Sequence, residues 1–559
     1  MEYVIFAVVA GSFILLLMIK GHFDYRKETK RFIKSLYEDY GKLPKREYKA
    51  EQFANIPHYY EKHKNGFSVD DITWNDLNMD EVFKKMNYTY SAAGEEYLYY
   101  TLRTPSYSKA ELDRKEELIN FFEEHADERV ACQFLFHKLG RTGKFSIYDY
   151  LDYLDNLGER SNVKHYLSLL AVLISIGIMF MNLPVGLFLL IIVFSANVLT
   201  YFKIKSEVDP YITSFAYIFK LLDLVDEIGK VKIPILTDEM QELKQASKEL
   251  SNFKRGSFLL MSAGRMSGSS DPFEIIVDYL RMAFHLDLIQ FNRMLAAVRK
   301  HVKDIDNMIT IIGMIEAMIA IGAFRERNKE YCIPGFLEER KIDAKNLYHP
   351  LLDNPIKNDI CTNNSILITG SNASGKSTFL KTVALNQILA QTIHTCMADS
   401  YETSFYRVLS SMALRDDLQG GESYYMVEIK SLKRIMDAIS SDGAPVLCFV
   451  DEVLRGTNTV ERIAASVQIL KSLTNHSDLC FAATHDIELT HLLKEEYDNY
   501  HFKEEIEEND IFFSYKILNG RAQSRNAIKL LGIMGYPEEI IREAENLAST
   551  FLKTGDWKS

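Results

Sequence analysis

Residues 365–378 read SILITGSNASGKST, a short apolar run that leads into a loop of small residues. The loop fits the pattern G-x-x-x-x-G-K-[ST], with a strand expected at 365–369 and a helix expected from Lys376. Small residues let backbone N–H groups surround a phosphate, and the helix start adds a partial positive charge. The pattern therefore predicts a phosphate-binding loop (P-loop) for ATP and Mg²⁺. We predict that it comprises Gly370, Ser371, Asn372, Ala373, Ser374, Gly375, Lys376, Ser377 and Thr378.

Two further apolar runs end in residues suited to the chemistry of such a loop. We expect Lys376 to reach the β- and γ-phosphates and the Ser377 hydroxyl to be a Mg²⁺ ligand. The run 446–450 ends in Asp451 and Glu452, which we assign as a Mg²⁺ residue and as the base that activates water. The run 479–483 ends in Thr484 and His485, and we expect His485 at the γ-phosphate side. Without a P-loop, the acid pair reads as a solvated strand end and the histidine as structural.

Hydrophobic patterning divides the chain into a helical part and an α/β part. Apolar residues recur at three- and four-residue spacing between residues 207 and 330, which indicates helices. From about residue 340, short apolar runs alternate with helical stretches, as in a domain with a central, mostly parallel sheet. We therefore predict a multidomain protein, with a membrane-anchored α-helical core and lever region followed by a C-terminal α/β P-loop domain.

Composition narrows the function classes. The chain has 559 residues, 47% hydrophobic and 25% charged, which suits several folded domains and excludes bulk disorder. The net charge of −12 argues against a surface that binds nucleic acid all over. The six cysteines show no C-x-x-C spacing, so we expect neither a zinc site nor a disulfide framework. We therefore expect the protein to lie in a reducing compartment.

Two apolar stretches are candidate membrane segments. Residues 3–19 carry no charge and are followed by a basic stretch, the reverse order of a signal peptide. A second block, 166–202, is broken at Asn182-Leu183-Pro184 and flanked by lysines. The positive-inside rule then predicts a multi-pass cell-membrane protein with the P-loop domain in the cytoplasm. The alternatives are a buried core helix at 3–19 and a hairpin buried in protein at 166–202.

These observations give a set of expected segments. We predict a transmembrane anchor at 1–20, a basic juxtamembrane segment at 21–70 and the first part of a helical core at 71–162. A transmembrane helical hairpin at 163–205 follows, then the remaining core, lever and clamp at 206–340. The P-loop domain, with a C-terminal helix-turn-helix, is expected at 341–559.

Several other segments accompany the P-loop in a fixed order. His349-Pro350 and Asn358 precede it, and the segments 416–428, 451–459, 483–490 and 531–544 follow it. Together these resemble the MutS family, the ABC-type ATPases of DNA mismatch repair. Upstream, 90–105 and 312–319 resemble parts of that family's helical core and levers. The family's mismatch-reading domain has no counterpart, and we expect a membrane-anchored MutS-like protein that lacks it.

The resemblance implies a site that one copy cannot complete. Ser423, in the segment similar to the family's signature stretch, would cap in trans the γ-phosphate bound by a second copy, so a homodimer through the ATPase domain is implied. Some positions depart from the family. Ser371, Ala373 and Ser374 stand where it usually has Pro, Met and Gly. Its adenine-stacking aromatic residue is replaced near 355–356, which leaves the preference for adenine open.

The resemblance also implies a partner for the clamp. We expect an ATP-driven dimeric clamp that binds duplex or branched DNA in the manner of mismatch repair. The alternative is a membrane-tethered switch that acts on a protein or lipid partner without DNA. Two basic clusters could contact a DNA backbone. The simpler interpretation is that each cluster lies on a solvated helix face, where its basic residues alternate with acids. These clusters are Lys244, Lys248, Lys254 and Arg255, then Arg293, Arg299, Lys300, His301 and Lys303.

Overall fold

A computed structural model describes the chain apart from residues 1, 45, 143–145, 157, 251–279, 281, 372–373, 413–423, 455–457, 475–476, 508–509, 523–527, 529–530, 532–533 and 555–559. The chain divides into two compact units. The first unit comprises Met1–His63, Met86–Tyr100 and Glu117–Arg327. The second unit comprises Lys64–Lys85, Thr101–Glu116 and Asn328–Ser559.

The described residues before the sheets are mainly helical. In chain order its α-helices are α1 (Glu2–Glu38), α2 (Ala50–Phe53), α3 (His58–His63), α4 (Asp71–Asp76), α5 (Met79–Met86), α6 (Ala92–Arg103), α7 (Lys109–Glu124), α8 (Ala126–Leu139), α9 (Ile147–Asn156), α10 (Val163–Met181), α11 (Leu183–Ile228), α12 (Thr237–Glu249), α13 (Leu286–Lys300) and α14 (Val302–Arg327). A short 3₁₀ helix, Pro234–Leu236, precedes α12.

The remaining chain alternates strands and helices. Its strands are β1 (Gly335–Phe336), β2 (Ile342–Leu347), β3 (Asn358–Thr362), β4 (Ser365–Thr369), β5 (Ser400–Thr403), β6 (Arg407–Ser411), β7 (Val446–Asp451), β8 (Leu479–Thr484), β9 (Tyr497–Glu507) and β10 (Asp510–Asn519). Its helices are α15 (Lys376–Ile393), α16 (Tyr424–Ile439), α17 (Thr459–Ser472), α18 (Ile487–Leu492) and α19 (Glu538–Thr554).

Helix α14 is the buried centre of the first unit. Its apolar residues at three- and four-residue spacing, among them Ile305, Met308 and Ile312, are buried, so the predicted helix is confirmed. The buried carboxylate of Glu316 accepts hydrogen bonds from the backbone N–H and the hydroxyl of Ser91, just before α6 begins. These hydrogen bonds compensate the burial of the carboxylate, and they give the N–H group that precedes α6 an acceptor.

Helices α10 and α11 form the hairpin expected from the second apolar block. Asn182 ends α10, and its side chain accepts from the N–H of Val185 at the start of α11. Helix α11 continues well beyond the apolar block, to Ile228. The residues of α1 that were predicted to form an anchor lie mostly outside the part whose side chains are described.

Three described helices are long and apolar enough to cross a membrane: α10, the Leu183–Val208 part of α11, and α14. The three helices differ in how far they are buried within the protein. The buried share of the most apolar window is 83% for α14, but 17% for α10 and 11% for the α11 part. Helix α14 thus uses its apolar surface to build the core of the first unit. Many apolar side chains of α10 and of the Leu183–Val208 part of α11 are exposed, and membrane insertion stays a prediction.

The second unit contains two sheets. The larger has the order β10-β9-β4-β8-β7-β6, in which every neighbouring pair is parallel except β10 with β9. The smaller has the order β1-β5-β2-β3. Strands β4 and β8 are buried along their whole length, as expected for a parallel sheet covered on both faces. The mostly parallel sheet predicted from the sequence is confirmed.

Two segments distant in sequence belong to this second unit. Residues 64–85 and 101–116 are compact with 328–559, whereas the sequence was divided into a continuous core segment at 71–162. Hydrogen bonds explain the grouping, because Thr73 of α4 contacts β6 and Ser106 donates its N–H to the carbonyl of Gln391 in α15. The domain limits drawn from the sequence stay predictions.

Candidate functional site

The loop between β4 and α15 requires glycine at two positions. Gly370 has φ +151° and Gly375, which precedes the first residue of α15, has φ +109°. A Cβ atom on Gly370 would lie 2.9 Å from the Ser374 hydroxyl oxygen, and one on Gly375 would lie 3.2 Å from the Tyr515 ring. The two glycines therefore permit a tight loop whose backbone stays open to a ligand at the start of a helix.

Lys376, the first residue of α15, folds back over this loop. Its ammonium group donates to the carbonyl oxygens of Gly370 and Ser371, at 2.9 Å each. The side chain is almost fully buried, and its Nζ also lies 3.3 Å from Nε2 of His485. A buried positive charge is thus fixed above the start of a helix, where a phosphate would receive both the charge and backbone N–H groups.

His485 connects this lysine with the predicted base. Its Nε2 lies 2.9 Å from a carboxylate oxygen of Glu452 and 3.3 Å from Lys376 Nζ. A protonated Nε2 donates to Glu452, whereas an unprotonated Nε2 accepts from Lys376. The location of one proton therefore decides which of the two neighbours the imidazole is bound to.

The chain turns sharply where β7 ends. Glu452 has φ +65° and Leu454 has φ +58°, in the left-handed region that bulky residues rarely adopt. Hydrogen bonds hold this conformation: the N–H of Glu452 donates to the carbonyl of Ala483, and that of Leu454 donates to the carboxylate of Glu428. Strained backbone held by its surroundings is common at functional sites, and here it sets the direction of Glu452.

These groups surround one cavity of about 470 Å³. Its lining consists of Ser371, Gly375, Lys376, Ser377, Thr378, Met412, Asp451, Glu452, His485 and Tyr515. Hydroxyl and carboxylate oxygens are the ligands that Mg²⁺ prefers, and it commonly takes only one or two carboxylates together with substrate phosphates. The described residues contain no cluster of three or more His, Cys, Asp or Glu side chains that could hold a metal ion.

The buried hydroxyl of Ser374 supports a phosphate ligand at the same loop. Its oxygen has no hydrogen-bond partner among the described residues, although the side chain is 2% exposed. A buried hydroxyl without a partner is costly, so a ligand acceptor at this loop would satisfy it. Together with the Lys376 ammonium and the start of α15, the residues present fit the triphosphate of a nucleotide with Mg²⁺.

The structure brings together most residues that the sequence singled out. The described P-loop residues lie with Asp451, Glu452 and His485 at the same end of neighbouring parallel strands. Asn372, Ala373 and Ser423 lie outside the described residues, as do Lys254 and Arg255. Of the remaining basic cluster residues, five are exposed, namely Lys244, Lys248, Arg293, Lys300 and Lys303, and the DNA contact expected there stays a prediction.

Two lining residues were missed by the sequence reasoning. Met412 follows the edge strand β6, and Tyr515 lies in β10 with φ +52° at an irregularity in its pairing with β9. The Asn358 side chain holds that irregularity, because it donates to the Tyr515 carbonyl at 3.0 Å and accepts from the Ile517 N–H at 2.9 Å. Asn358 was recognised as a motif residue, but no pattern in the sequence connects it with Tyr515.

A mostly parallel sheet with a glycine-rich loop between a central strand and a helix places the second unit in the α/β class. Comparison with known proteins then points to a particular family. Residues 366–552 match the family model of MutS domain V. This stretch begins within β4, ends within α19 and includes every residue predicted for the ATP and Mg²⁺ site. The chain is therefore MutS-like over this part.

Three curated relatives, each named DNA mismatch repair protein MutS, illustrate the similarity. The protein of Pseudothermotoga lettingae is 35% identical over 229 residues, 39% of this chain and 28% of the relative. That of Lactobacillus delbrueckii subsp. bulgaricus is 30% identical over 270 residues, 46% of this chain and 31% of the relative. That of Thermotoga maritima is 29% identical over 279 residues, 48% of this chain and 35% of the relative. The chain thus spans about a third of the relatives' length.

Proposed function

We propose that this chain is a MutS-like ATPase that binds ATP with Mg²⁺ and hydrolyses it to ADP and phosphate. One observation carries the proposal: a single cavity is lined by the P-loop, the acids at the end of β7 and the histidine at the end of β8. The family match over residues 366–552 covers all of these elements. Each residue then has a task that its position allows.

The described residues divide the work between binding and proton transfer. Lys376 and the start of α15 compensate the phosphate charge, and Ser377 and Asp451 would hold the metal ion. Bound Mg²⁺ neutralises the charge that develops on the phosphate oxygens. Glu452 orients the attacking water and takes its proton, and His485 fixes the Glu452 carboxylate through the contact between them. Each role follows from the group's place on the cavity wall.

The family resemblance adds a second copy of the chain to the proposal. In it, two ATPase units associate through bound ATP, Ser423 of each copy faces the nucleotide of the other, and hydrolysis releases them. The helices between residues 207 and 330 transmit this motion, and DNA is the partner that the relatives' name suggests. Dimerisation and DNA binding rest on the resemblance alone.

The hairpin favours a second candidate function. The outward apolar faces of α10 and α11 include Phe180, Phe188 and Ile191, which are 87%, 65% and 56% exposed. Exposed apolar surface of this extent is unusual in water and favours insertion into a bilayer. In this candidate, the chain is a multi-pass cell-membrane protein whose cytoplasmic ATPase unit drives a switch on a protein or lipid partner without DNA.

The test of the proposed activity is a pair of lysine variants in the full chain. Lys376→Ala should abolish ATP binding, measured with a fluorescent ATP analogue, because it removes the ammonium group from the loop. Lys381→Ala is the matched control, since Lys381 lies in the same helix but does not line the cavity. Equal binding by the protein and by Lys376→Ala would exclude this cavity as the nucleotide site.

A further inference from the structure

Strand β6 is the last strand of the large sheet, and α4 covers its open side. Among the described strands β6 pairs with β7 alone, so alternate backbone groups of β6 face away from these strands. Helix α4 binds one such group in β6 and one in the residue that follows it. The N–H of Ser410 donates to the Thr73 hydroxyl at 3.1 Å, and the N–H of Met412 donates to the Asp76 carboxylate at 2.9 Å.

The bond to Met412 is one of several that fix α4 in place. The same Asp76 oxygen accepts the Ser410 hydroxyl at 2.6 Å, and the Asp76 side chain is buried. Asp70 caps α4 through the N–H of Thr73 at 2.8 Å and pairs through its other oxygen with Arg434 of α16. Helix α4 is therefore tied to the edge strand and to the helix that covers it, so Asp76 has little freedom to move.

Met412 is where this arrangement reaches the nucleotide cavity. Ser411 pairs with Val450 in the register of β6 and β7, so Met412 follows beside Asp451, the last residue of β7. Met412 and Asp451 both line the cavity. A shift of the Met412 backbone would therefore displace a wall of the cavity next to the predicted Mg²⁺ residue.

We propose that Asp76 is a positioning residue of the Mg²⁺–ATP site, which it serves by holding the Met412 backbone beside Asp451. The inference rests on the proposed ATPase function and extends it to a residue outside the segment that matches MutS domain V. Asp76 does not line the cavity, so its effect passes through Met412. Loss of its oxygen leaves the buried Ser410 hydroxyl and the Met412 N–H without this acceptor, and the end of β6 can move.

The experiment compares three full-chain variants by ATP turnover across a Mg²⁺ titration. Asp76→Ala removes the acceptor and should raise the Mg²⁺ concentration for half-maximal turnover several-fold and lower kcat roughly tenfold, as expected for a small displacement near reacting groups. Asp76→Asn keeps an oxygen acceptor and should recover most of both values. Asn75→Ala, an exposed neighbour in the same helix, is the matched control and should behave like the unchanged protein.

A purely structural role makes a different prediction. It would lower the melting temperature of Asp76→Ala but leave the half-saturating Mg²⁺ concentration of the folded fraction unchanged, and that result would overturn the inference. If Asp76→Ala does not fold, Thr73→Val removes the neighbouring acceptor at nearly constant volume; a smaller shift in the same direction supports the inference, and no shift overturns it. An unchanged protein that neither binds nor hydrolyses ATP would instead refute the proposed function on which the inference depends.

Discussion

Nε2 of His485 lies 2.9 Å from a carboxylate oxygen of Glu452, and the two residues come from adjacent strand ends of the same sheet. The contact orients the acid that we propose as the base. The left-handed backbone of Glu452, with φ +65° where β7 ends, is a second constraint on the direction of this acid. Glu452 also lines the cavity, so a base held in this way is placed to act on a water molecule there.

Glu452→Gln tests this role, because it keeps the shape and the contact to His485 but removes the proton acceptor. ATP binding should stay near that of the unchanged protein, while turnover should fall by about 10²-fold or more, as expected for loss of a general base. Phosphate release and the Kd of a fluorescent ATP analogue measure the two effects. Glu488→Gln in the following helix is the control, since Glu488 does not line the cavity. Hydrolysis at the unchanged rate by Glu452→Gln would assign the base to another residue.

Local sequence was sufficient for the parts of this site that depend on strand ends. The strands were predicted at 365–369, 446–450 and 479–483 from short apolar runs, and the structure has them at Ser365–Thr369, Val446–Asp451 and Leu479–Thr484. Parallel pairing brings their final residues to one edge. The alternation of strands with helices gave the parallel sheet for the same reason. Periodicity and turn composition are local signals, and these elements are determined locally.

Contacts between distant segments could not be read in this way. The pairing of Asp76 with Met412 joins positions 336 residues apart, and nothing in the sequence around Asp76 marks it. Tyr515 reaches the cavity only because Asn358 holds an irregular part of β10 at a separation of 157 residues. Helix α14 is a further case in which local sequence is insufficient. Its composition alone would fit a membrane span, but packing buries it within the first unit.

DNA binding is the part of the proposal that salt dependence can decide. Contacts to the phosphate backbone release counterions, so ATPase stimulation by duplex or branched DNA should be clear at about 50 mM salt and greatly reduced at about 200 mM salt. Lys300→Gln combined with Lys303→Gln should weaken binding and reduce the slope of affinity against salt, whereas Lys345→Gln in β2 is a control that removes one positive charge outside the basic clusters. If DNA neither binds nor stimulates turnover at the lower salt concentration, that result would favour the membrane-tethered switch.

The first unit should lose stability as the pH rises, because of a histidine on α3. His63 Nε2 contacts the Asp306 carboxylate at 3.1 Å, and this hydrogen bond raises the pKa of His63 above its ordinary value. A raised pKa in the folded state stabilises the fold below the unfolded pKa of about 6.5, and this contribution is lost as pH rises through the folded pKa. His63→Gln should therefore lower the melting temperature more at about pH 5.5 than at about pH 8.5.

The matched control for this pair is His22→Gln, since His22 is exposed on α1. Its effect on the melting temperature should be small at both pH values. The expected difference for His63 is modest, on the order of 1 kcal/mol, because the side chain is partly exposed and solvent weakens the pair. An equal loss at both pH values would mean that His63 contributes through packing on Tyr59, with which its ring stacks at 4.0 Å, and not through charge.

The turn between α10 and α11 distinguishes a membrane hairpin from a hairpin buried in protein or lying in the cytoplasm. Both flanks of the block carry lysines, so a spanning hairpin places the turn on the outer face of the cell membrane. Leu183 is 62% exposed at this turn, and a cysteine there should react with a membrane-impermeant maleimide in intact cells. The exposed native Cys361 lies in the second unit and should react only after the cells are opened, which makes it an internal control. Labelling of both cysteines only in opened cells would place the hairpin inside the cell and refute the spanning arrangement, because a turn that never crosses the bilayer stays on the side of Cys361.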